Sequence, residues 1–442
     1  MPNKVLIITY YWPPSGGAGV QRWLKFVKYL GQYGWEPVIF TPLNPEFPAI
    51  DESLLNEIPD NIKVLKTPIW EPYQLYKRLT GASPDKKVNA SGFINENQKG
   101  GKLHKISLWF RGNFFIPDAR KFWIKPSISY LTKWLSNNHV DVIVSSGPPH
   151  SMHMIAAGVK KNTGTPWLAD FRDPWTNIDF YQELDLMGWA DKIHHKQEMQ
   201  VLNEADEVVV ISKSMKSDFL NIKERKYSVI TNGFDHSDIE SIVTLPDDKF
   251  TISHIGSMPK SRNPVNLWKA LASLKESIPG FNSNLVIKLA GTIDHEVIDS
   301  IGQNGLLDNL VRIEYKPHDQ IIELQKQSRV LLLIINDTPN AKVILPGKLF
   351  EYIASGRPIL CIGPNDGDAA EIIRETGSGY VADTNSSEDM LESLRKLYSA
   401  FITNTDKTET ENISKFSREQ LTADLAKLLE ELKGTYKLQS DT

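Results

Sequence analysis

The sequence lacks the features that mark several large protein classes. Its 442 residues include one cysteine, Cys361, and no run of about 18 apolar residues. One cysteine excludes an internal disulfide framework and a cysteine-based zinc site. The first residues, Met1–Tyr11, also lack the apolar core of a signal peptide. We therefore expect a cytoplasmic protein whose contact with a membrane, at its inner face, is peripheral at most.

The charge of the chain is almost balanced. Its 50 basic and 54 acidic residues give a formal net charge of −4, and 40% of the residues are hydrophobic. This is the composition of an ordinary globular protein, and it gives no electrostatic reason to expect a nucleic-acid partner.

Short β-branched runs alternate with longer amphipathic segments, a pattern typical of parallel sheets with crossover helices. The chain is also too long for one compact core, so two α/β domains facing a cleft are expected. The predicted strands are Val5–Thr9, Val38–Thr41, Val64–Lys66, Val140–Ser145, Trp167–Asp170, Val208–Ile211, Tyr227–Ile230, Phe250–Ile255, Leu285–Ala290, Val311–Tyr315, Val330–Ile335, Ile359–Ile362 and Gly379–Ala382.

Turn residues at Thr231–Asp235 and a polar stretch up to Asp248 interrupt this pattern. We accordingly predict domains over 1–240 and 241–415. Residues 416–442 form a final segment, in which leucines at helical spacing predict a helix over Phe416–Tyr436.

Residues 81–126 do not fit the alternation and are predicted to be an insertion in the first domain. Gly81–Lys105 is rich in Gly, Ser, Asn and Lys and is predicted to be a mobile loop. Ile106–Pro126 mixes aromatic with basic residues, which is typical of a segment that contacts a membrane surface or a lipid acceptor. A core helix packed beneath an acceptor site is the equally supported alternative.

A glycine-rich loop joins the first predicted strand to a helix that starts near Val20. Gly16, Gly17 and Gly19 would let a ligand approach the first free N–H groups of that helix. Their spacing is not G-x-G-x-x-G, and the strand Val38–Thr41 does not end in an acidic residue, so the pattern argues against an NAD enzyme. A tight turn without a ligand is the alternative.

Polar residues also follow two further strands of the first domain. His150 comes just after the fourth strand, and Asp170, Arg172 and Asp173 come at the end of the fifth. Open α/β sheets place their chemistry at these carboxyl ends. A carboxylate there could orient a hydroxyl or act as a base, and Arg172 could hold a phosphate. The structural alternatives are an Asp170–Arg172 pair that pins the loop and a His150 that caps a helix.

Two basic residues follow Gly256 at the end of the first strand of the second domain. Lys260 and Arg262 are well placed to neutralise a diphosphate as it leaves, although either could be a surface charge. Farther on, Pro346 and Gly347 start a helix that carries Lys348, Leu349 and Glu351. Lys348 could reach phosphates, and Glu351 could accept hydrogen bonds from two ribose hydroxyls. The alternative for Glu351 is a solvated helix residue.

These motifs together resemble those of the retaining glycosyltransferases of family four (group 1), in family order along nearly the whole chain. The matching pieces are the Gly16–Gly19 loop, DFRDPW at Asp170–Trp175, VITNGFD at Val229–Asp235, the Gly256 loop and PGKLFEYIASGRPIL at Pro346–Leu360. The resemblance implies the GT-B fold, with two Rossmann-like domains and a C-terminal helix that packs back on the first. It also implies a glycine loop near the donor phosphates, a basic pair for the diphosphate and a ribose-binding role for Glu351.

The sequence departs from the family pattern at the sugar end of the donor site. The first of two glutamates common in the family is replaced by Val343, and Ser257 stands where an arginine often follows the loop glycine. The P-x-K-x-x-E-Y motif at Pro346–Tyr352 resembles a bacterial polysaccharide-type branch.

The resulting prediction is a retaining, metal-independent hexosyltransferase of surface polysaccharide or glycoconjugate synthesis. It has no cofactor, and its substrates are a nucleoside-diphosphate sugar and a glycan or lipid-linked acceptor. Asp173, Arg262 and Lys348 are the predicted catalytic residues. The alternatives are a nucleotide-sugar 2-epimerase and a non-catalytic sugar-nucleotide-binding subunit.

Overall fold

The computed structural model describes residues 2–47, 49–71, 109–178, 181–240, 242–314, 316, 318–406, 408 and 412–440. The chain forms two compact units. The first runs to Thr231 and includes the C-terminal segment from Arg418, and the second is Asn232–Ser417. The predicted loop Gly81–Lys105 lies outside the described residues.

Each unit is built on one parallel sheet, as the alternating pattern predicts. The first sheet has seven strands in the order β3-β2-β1-β4-β5-β6-β7, and the second has six in the order β10-β9-β8-β11-β12-β13. The strands are β1 (Asn3–Ile8), β2 (Trp35–Pro42), β3 (Lys63–Thr67), β4 (Val142–Gly147), β5 (Trp167–Phe171), β6 (Glu207–Val210), β7 (Ser228–Val229), β8 (Phe250–Ile255), β9 (Leu285–Ala290), β10 (Leu310–Ile313), β11 (Val330–Ile334), β12 (Ile359–Ile362) and β13 (Gly379–Ala382).

Helices connect the strands, and a further helical stretch covers 109–114. The helices are α1 (Ala18–Leu30), α2 (Lys121–Leu135), α3 (Ser151–Thr163), α4 (Gly188–Glu204), α5 (Lys213–Ile222), α6 (His236–Glu240), α7 (Val265–Ser277), α8 (Phe281–Asn284), α9 (His295–Gln303), α10 (His318–Gln327), α11 (Lys348–Ala354), α12 (Asp368–Glu375), α13 (Ser387–Ile402) and α14 (Arg418–Ser440). Within the described ranges, every helix lacks an apolar stretch that would span a bilayer.

The C-terminal helix α14 packs against α1 in the first unit. Its leucine stripe is buried in the same core as Trp23 of α1, because Leu421, Leu425 and Leu429 recur on one face of the helix. The predicted return of the final helix to the first unit is therefore confirmed.

The strand order determines which loops lie at the position where folds of this class bind ligands. β1 pairs with both β2 and β4, and β8 pairs with both β9 and β11. The chain turns in opposite directions from β1 and β4, and again from β8 and β11, so a crevice opens beyond the carboxyl ends of each pair. The loops after β1, β4, β5, β8 and β11 carry the candidate residues.

Candidate functional site

In the second unit, the loop after β8 lies against a lysine from α11. Gly256 has φ +122°, and a Cβ placed there would come 3.1 Å from Lys348 Nζ. The Lys348 ammonium donates to the Ile255 carbonyl at 2.9 Å. The positive φ therefore favours glycine at 256, and the missing Cβ leaves room for the lysine ammonium.

Lys348 lies in a desolvated and electropositive setting. Burial, and next the charge of Arg262, lower its pKa to about 8, while Glu351 acts in the opposite direction. A nearby cation raises the energy of the ammonium, and an anion bound between the two cations would relieve that repulsion. The two predicted diphosphate ligands are thus electrostatically coupled in the structure.

Arg262 ends a short 3-10 turn, Lys260–Arg262, and its Nε–H donates to Asn336 Oδ1 in the loop after β11. This contact joins the two loops that leave β8 and β11. Lys260, by contrast, is exposed and forms an ion pair with Glu296 of α9 at 2.8 Å. The structure therefore gives Arg262 an amide partner in the loop after β11 and gives Lys260 a carboxylate partner.

Glu351 lies on the half-buried side of α11. Leu349, Phe350, Tyr352 and Ile353 are buried and anchor this helix, and the Leu349 N–H donates to the Pro346 carbonyl at 3.1 Å. Gly347 precedes the helix as its N-cap residue. The Glu351 carboxylate accepts a hydrogen bond from Gln325 Nε2 at 3.0 Å.

His254 lies near the end of β8, where the same two cations act on it. It is buried, and burial together with the charges of Lys348 and Arg262 lowers its pKa to about 3. Its Nδ1 lies 3.2 Å from the Leu332 carbonyl. The imidazole is therefore neutral at physiological pH and adds no charge to the site.

In the first unit, the glycine loop after β1 is held by an arginine from the loop after β5. Arg172 donates to the Gly19 carbonyl at 3.0 Å and to the Pro148 carbonyl, and its guanidinium lies 5.6 Å from the Tyr11 ring centre. A Cβ at Gly19 would come 2.9 Å from that ring, while Gly16 and Gly17 complete the turn. Arg172 thus joins two loops that were predicted to meet a ligand.

Asp170 is buried at the end of β5 and is bound by α1. Its carboxylate pairs with Arg22 at 2.8 Å and accepts from Trp23 Nε1 at 2.9 Å and Ser146 Oγ at 3.1 Å. Arg22 also donates to the carbonyls of Thr231 and Ile230. In this structure the partner of Asp170 is therefore Arg22, a residue of α1 that pattern reasoning missed. Asp173 is exposed in the following loop.

His150 is almost buried at the start of α3. Its ring stacks on Trp175 with centroids 4.4 Å apart, and His153 lies 2.8 Å from Ser145 Oγ through Nδ1. Burial holds the pKa of His150 well below its usual value and lowers the pKa of His153 to about 3. Both rings are therefore neutral at physiological pH and could act there as hydrogen-bond partners.

Exposed aromatic side chains form a continuous patch on the first unit, which we call the aromatic surface. The ring centroids are 4.9 Å apart for Trp70 and Phe122, 4.6 Å for Phe110 and Phe114, and 5.8 Å for Phe114 and Trp189. The ring of Phe115 contacts both Phe110 and Phe122 and so links these pairs. The described part of Ile106–Pro126 thus has both exposed and core aromatic residues. Phe110, Phe114 and Phe122 are exposed, while Trp123 is buried.

Two families match consecutive parts of the chain. Residues 96–238 match the family described as Glycosyltransferase Family 4, and residues 235–415 match the family described as Glycosyl transferases group 1. No curated protein matches the chain in sequence.

Several solved structures share the whole architecture. Sucrose-phosphate synthase from Thermosynechococcus elongatus aligns with TM-score 0.60 and 13% identity, covering 100% of both chains. WaaG, a glycosyltransferase involved in lipopolysaccharide biosynthesis, aligns with TM-score 0.57 and 14% identity over 96% of this chain and 99% of WaaG. A candidate UDP-N-acetylglucosamine 2-epimerase from Listeria monocytogenes aligns with TM-score 0.56 and 11% identity over 96% of this chain and 95% of its own. At these identities the likeness establishes the fold alone.

Proposed function

We propose that Lys348, Arg262 and Glu351 form the donor site of a glycosyltransferase of GT-B fold, because two glycosyltransferase families match consecutive parts of the chain. The donor is a nucleoside-diphosphate sugar. The observation that carries the proposal is the coupled Lys348–Arg262 pair beside the Gly256 loop, with Glu351 on the same helix as Lys348. Two cations match a diphosphate, and the carboxylate matches ribose hydroxyls.

In the proposed reaction the bond between the anomeric carbon and the diphosphate oxygen breaks. The acceptor oxygen forms the new bond on the same face, and its proton passes to the leaving diphosphate. Negative charge grows on the leaving diphosphate, and Arg262 and Lys348 lie where they would stabilise it. We propose that these cations make a divalent metal dispensable.

For the acceptor we propose His150 and Asp173 of the first unit as the residues that bind its hydroxyl. Neutral His150 could accept or donate a hydrogen bond, and exposed Asp173 follows the carboxyl end of β5. For Asp170 and Arg172, contact with substrate stays a prediction, because both side chains bind neighbouring loops in this structure.

A hexosyl donor and a role in surface polysaccharide or glycoconjugate synthesis are the finer part of the proposal. Likeness to WaaG, a glycosyltransferase involved in lipopolysaccharide biosynthesis, supports the role in surface polysaccharide or glycoconjugate synthesis. Two alternative functions predict different outcomes with the same donor. A 2-epimerase would convert the donor sugar without an acceptor, as analysis of the product by NMR would reveal. A non-catalytic subunit would bind donor without turnover.

Donor affinity is expected to fall as pH rises through about 8. The folded pKa of Lys348 is lowered from 10.5 to about 8, so its charge is present below that pH and lost above it. The Kd of a nucleoside diphosphate, measured by calorimetry in EDTA, should rise by up to about tenfold per pH unit above this point. Comparing the Kd values of ADP, CDP, GDP and UDP would identify the nucleotide base of the donor.

Matched variants distinguish the effect of the Lys348 charge on donor affinity from other effects of pH. Lys348→Met should weaken binding at neutral pH and flatten the profile, whereas Lys348→Arg should keep its charge throughout. Lys269→Met, on the exposed face of α7, is the control and should bind like the wild type. Equal affinity of Lys348→Met and wild type at neutral pH would refute the assignment of the donor site.

We further propose that the aromatic surface contacts an anionic lipid membrane, where a lipid-linked acceptor would lie. Exposed rings partition into the interfacial layer of a bilayer, and nearby cations are attracted to anionic headgroups. Lys121 lies beside Phe122, with Nζ 5.6 Å from the ring centre, and its ammonium also donates to the Phe114 carbonyl.

Vesicle co-sedimentation tests this contact. Wild type should bind phosphatidylcholine vesicles more strongly when they contain phosphatidylglycerol. The double variant Phe110→Ser/Phe114→Ser should bind at least about tenfold less, since two large apolar side chains are lost from the surface. Leu307→Ser removes an exposed apolar residue from the second unit and serves as the control. Binding that is unaffected by the double variant or by anionic lipid would count against the proposal.

A further inference from the structure

A buried glutamine on α10 contacts the proposed ribose-binding carboxylate. Gln325 is 1% exposed, and its Nε2–H donates to Glu351 Oε2 at 3.0 Å. In the described part of the chain, no other side chain hydrogen-bonds this carboxylate. The orientation of Glu351 on α11 therefore depends on a residue of a different helix.

Packing does not explain a glutamine at this position. Its neighbours along α10, Ile322 and Leu324, are buried apolar residues, and burying an amide is costly unless its polar atoms are paired. Among the described residues, Gln325 Oε1 has no hydrogen-bond partner. An apolar side chain of similar size would satisfy the core better, so the amide is best explained by what its N–H group does for Glu351.

The amide also restricts what Glu351 can offer to a ligand. A donor on Oε2 holds the carboxylate in one rotamer and leaves Oε1 as the oxygen without a partner in the described structure. A carboxylate oxygen carries two lone pairs, so one fixed oxygen can accept from both hydroxyls of a ribose diol. Because the Glu351 carboxylate is already fixed before the ligand binds, binding does not incur the entropic cost of ordering that side chain.

We propose that Gln325 is a positioning residue that sets the preference of the donor site for ribose over 2′-deoxyribose by orienting Glu351. The inference rests on the proposed function, since it takes Glu351 to be the ribose ligand. Gln325 itself does not touch the nucleotide. Its effect is confined to the sugar of the nucleoside, because the diphosphate is held by Lys348 and Arg262.

The test compares the Kd of ribonucleoside diphosphates with that of their 2′-deoxy counterparts by calorimetry. Wild type should prefer the ribonucleotide by about tenfold or more, since a hydrogen bond to a charged group is lost with the 2′-hydroxyl. Gln325→Met keeps the volume but not the donor, and should reduce this preference to about twofold. Binding of inorganic pyrophosphate should be the same in both proteins.

The variant is expected to fold because a second contact holds α10 near α11. The Arg357 guanidinium, just after α11, donates to the Lys326 carbonyl at 2.8 Å and is untouched by the substitution. Glu351→Gln, which leaves Gln325 in place, should reproduce the loss of ribose preference.

Each result has a distinct meaning. A folded Gln325→Met with the wild-type preference would overturn the role of Gln325 alone. A wild type that binds nucleoside diphosphates without a preference for ribose would overturn both the ribose-binding role of Glu351 and the role of Gln325. A wild type that binds none of the nucleoside diphosphates would overturn the proposed function and this inference with it. Loss of pyrophosphate binding in Gln325→Met would show general damage to the site and would also overturn it.

Discussion

Arg262→Ala is expected to lower kcat for sugar transfer by about 10²–10³-fold, the usual effect of removing one donor that stabilises developing charge. The charge of the Arg262 guanidinium acts on Lys348, and its Nε–H is held by Asn336 Oδ1. Without it, one cation remains to stabilise the leaving diphosphate. Because Arg262 also lowers the pKa of Lys348, the variant should shift the loss of donor affinity to higher pH.

Steady-state kinetics with the donor identified by binding would measure this effect, with donor hydrolysis as the readout if the acceptor is unknown. Because Arg262 also holds the diphosphate of the bound donor, KM for the donor should rise, and kcat/KM should fall by more than kcat. Lys269→Ala is the matched control. A variant within about threefold of the wild type would remove Arg262 from the site.

Asp170→Asn is expected to cost the first unit about 3–5 kcal/mol of unfolding free energy, because it leaves the Arg22 guanidinium buried without its counter-charge. The pair joins α1 to the end of β5, and Arg22 extends the connection to the carbonyls after β7. Urea unfolding at neutral pH would measure the change. Glu36→Gln, which breaks the exposed pair with Lys4 at 3.6 Å, should cost less than about 1 kcal/mol.

The outcome also separates two roles for Asp170. A strongly destabilised variant supports the role of a buried anchor for the loops. A variant with wild-type stability but no transfer activity would instead support the predicted contact with the acceptor. Adding Arg22→Met to Asp170→Asn should recover part of the stability, since the unpaired charge is then removed as well.

The fold was largely readable from the sequence. All thirteen predicted strands are present, and β8, β9, β12 and β13 have the predicted bounds. Parallel strands buried on both faces need continuous apolar runs, and this local pattern survives in a single sequence. The candidate loops were also predictable, because polar residues at strand ends of an open sheet must meet at its carboxyl edge.

The partners of those residues were not predictable. Asp170 and Arg172 are two residues apart in sequence, yet one pairs with Arg22 and the other with backbone carbonyls of distant loops. Lys260 and Arg262 are also two residues apart, yet Lys260 pairs with Glu296 and Arg262 donates to Asn336. Which partner a charge finds depends on the side-chain directions of elements far apart along the chain.

By itself, the sequence determined the two parallel sheets, the returning C-terminal helix and the loops that carry glycine, lysine, arginine and glutamate. Only the tertiary structure decided that Gln325 orients Glu351, that Lys348 lies against Gly256 and that Trp70 and Trp189 extend the aromatic surface. The physical reason is the separation along the sequence over which each interaction acts. Hydrophobic periodicity acts between residues a few positions apart, whereas a hydrogen bond or ring contact joins whichever side chains the folded chain brings together.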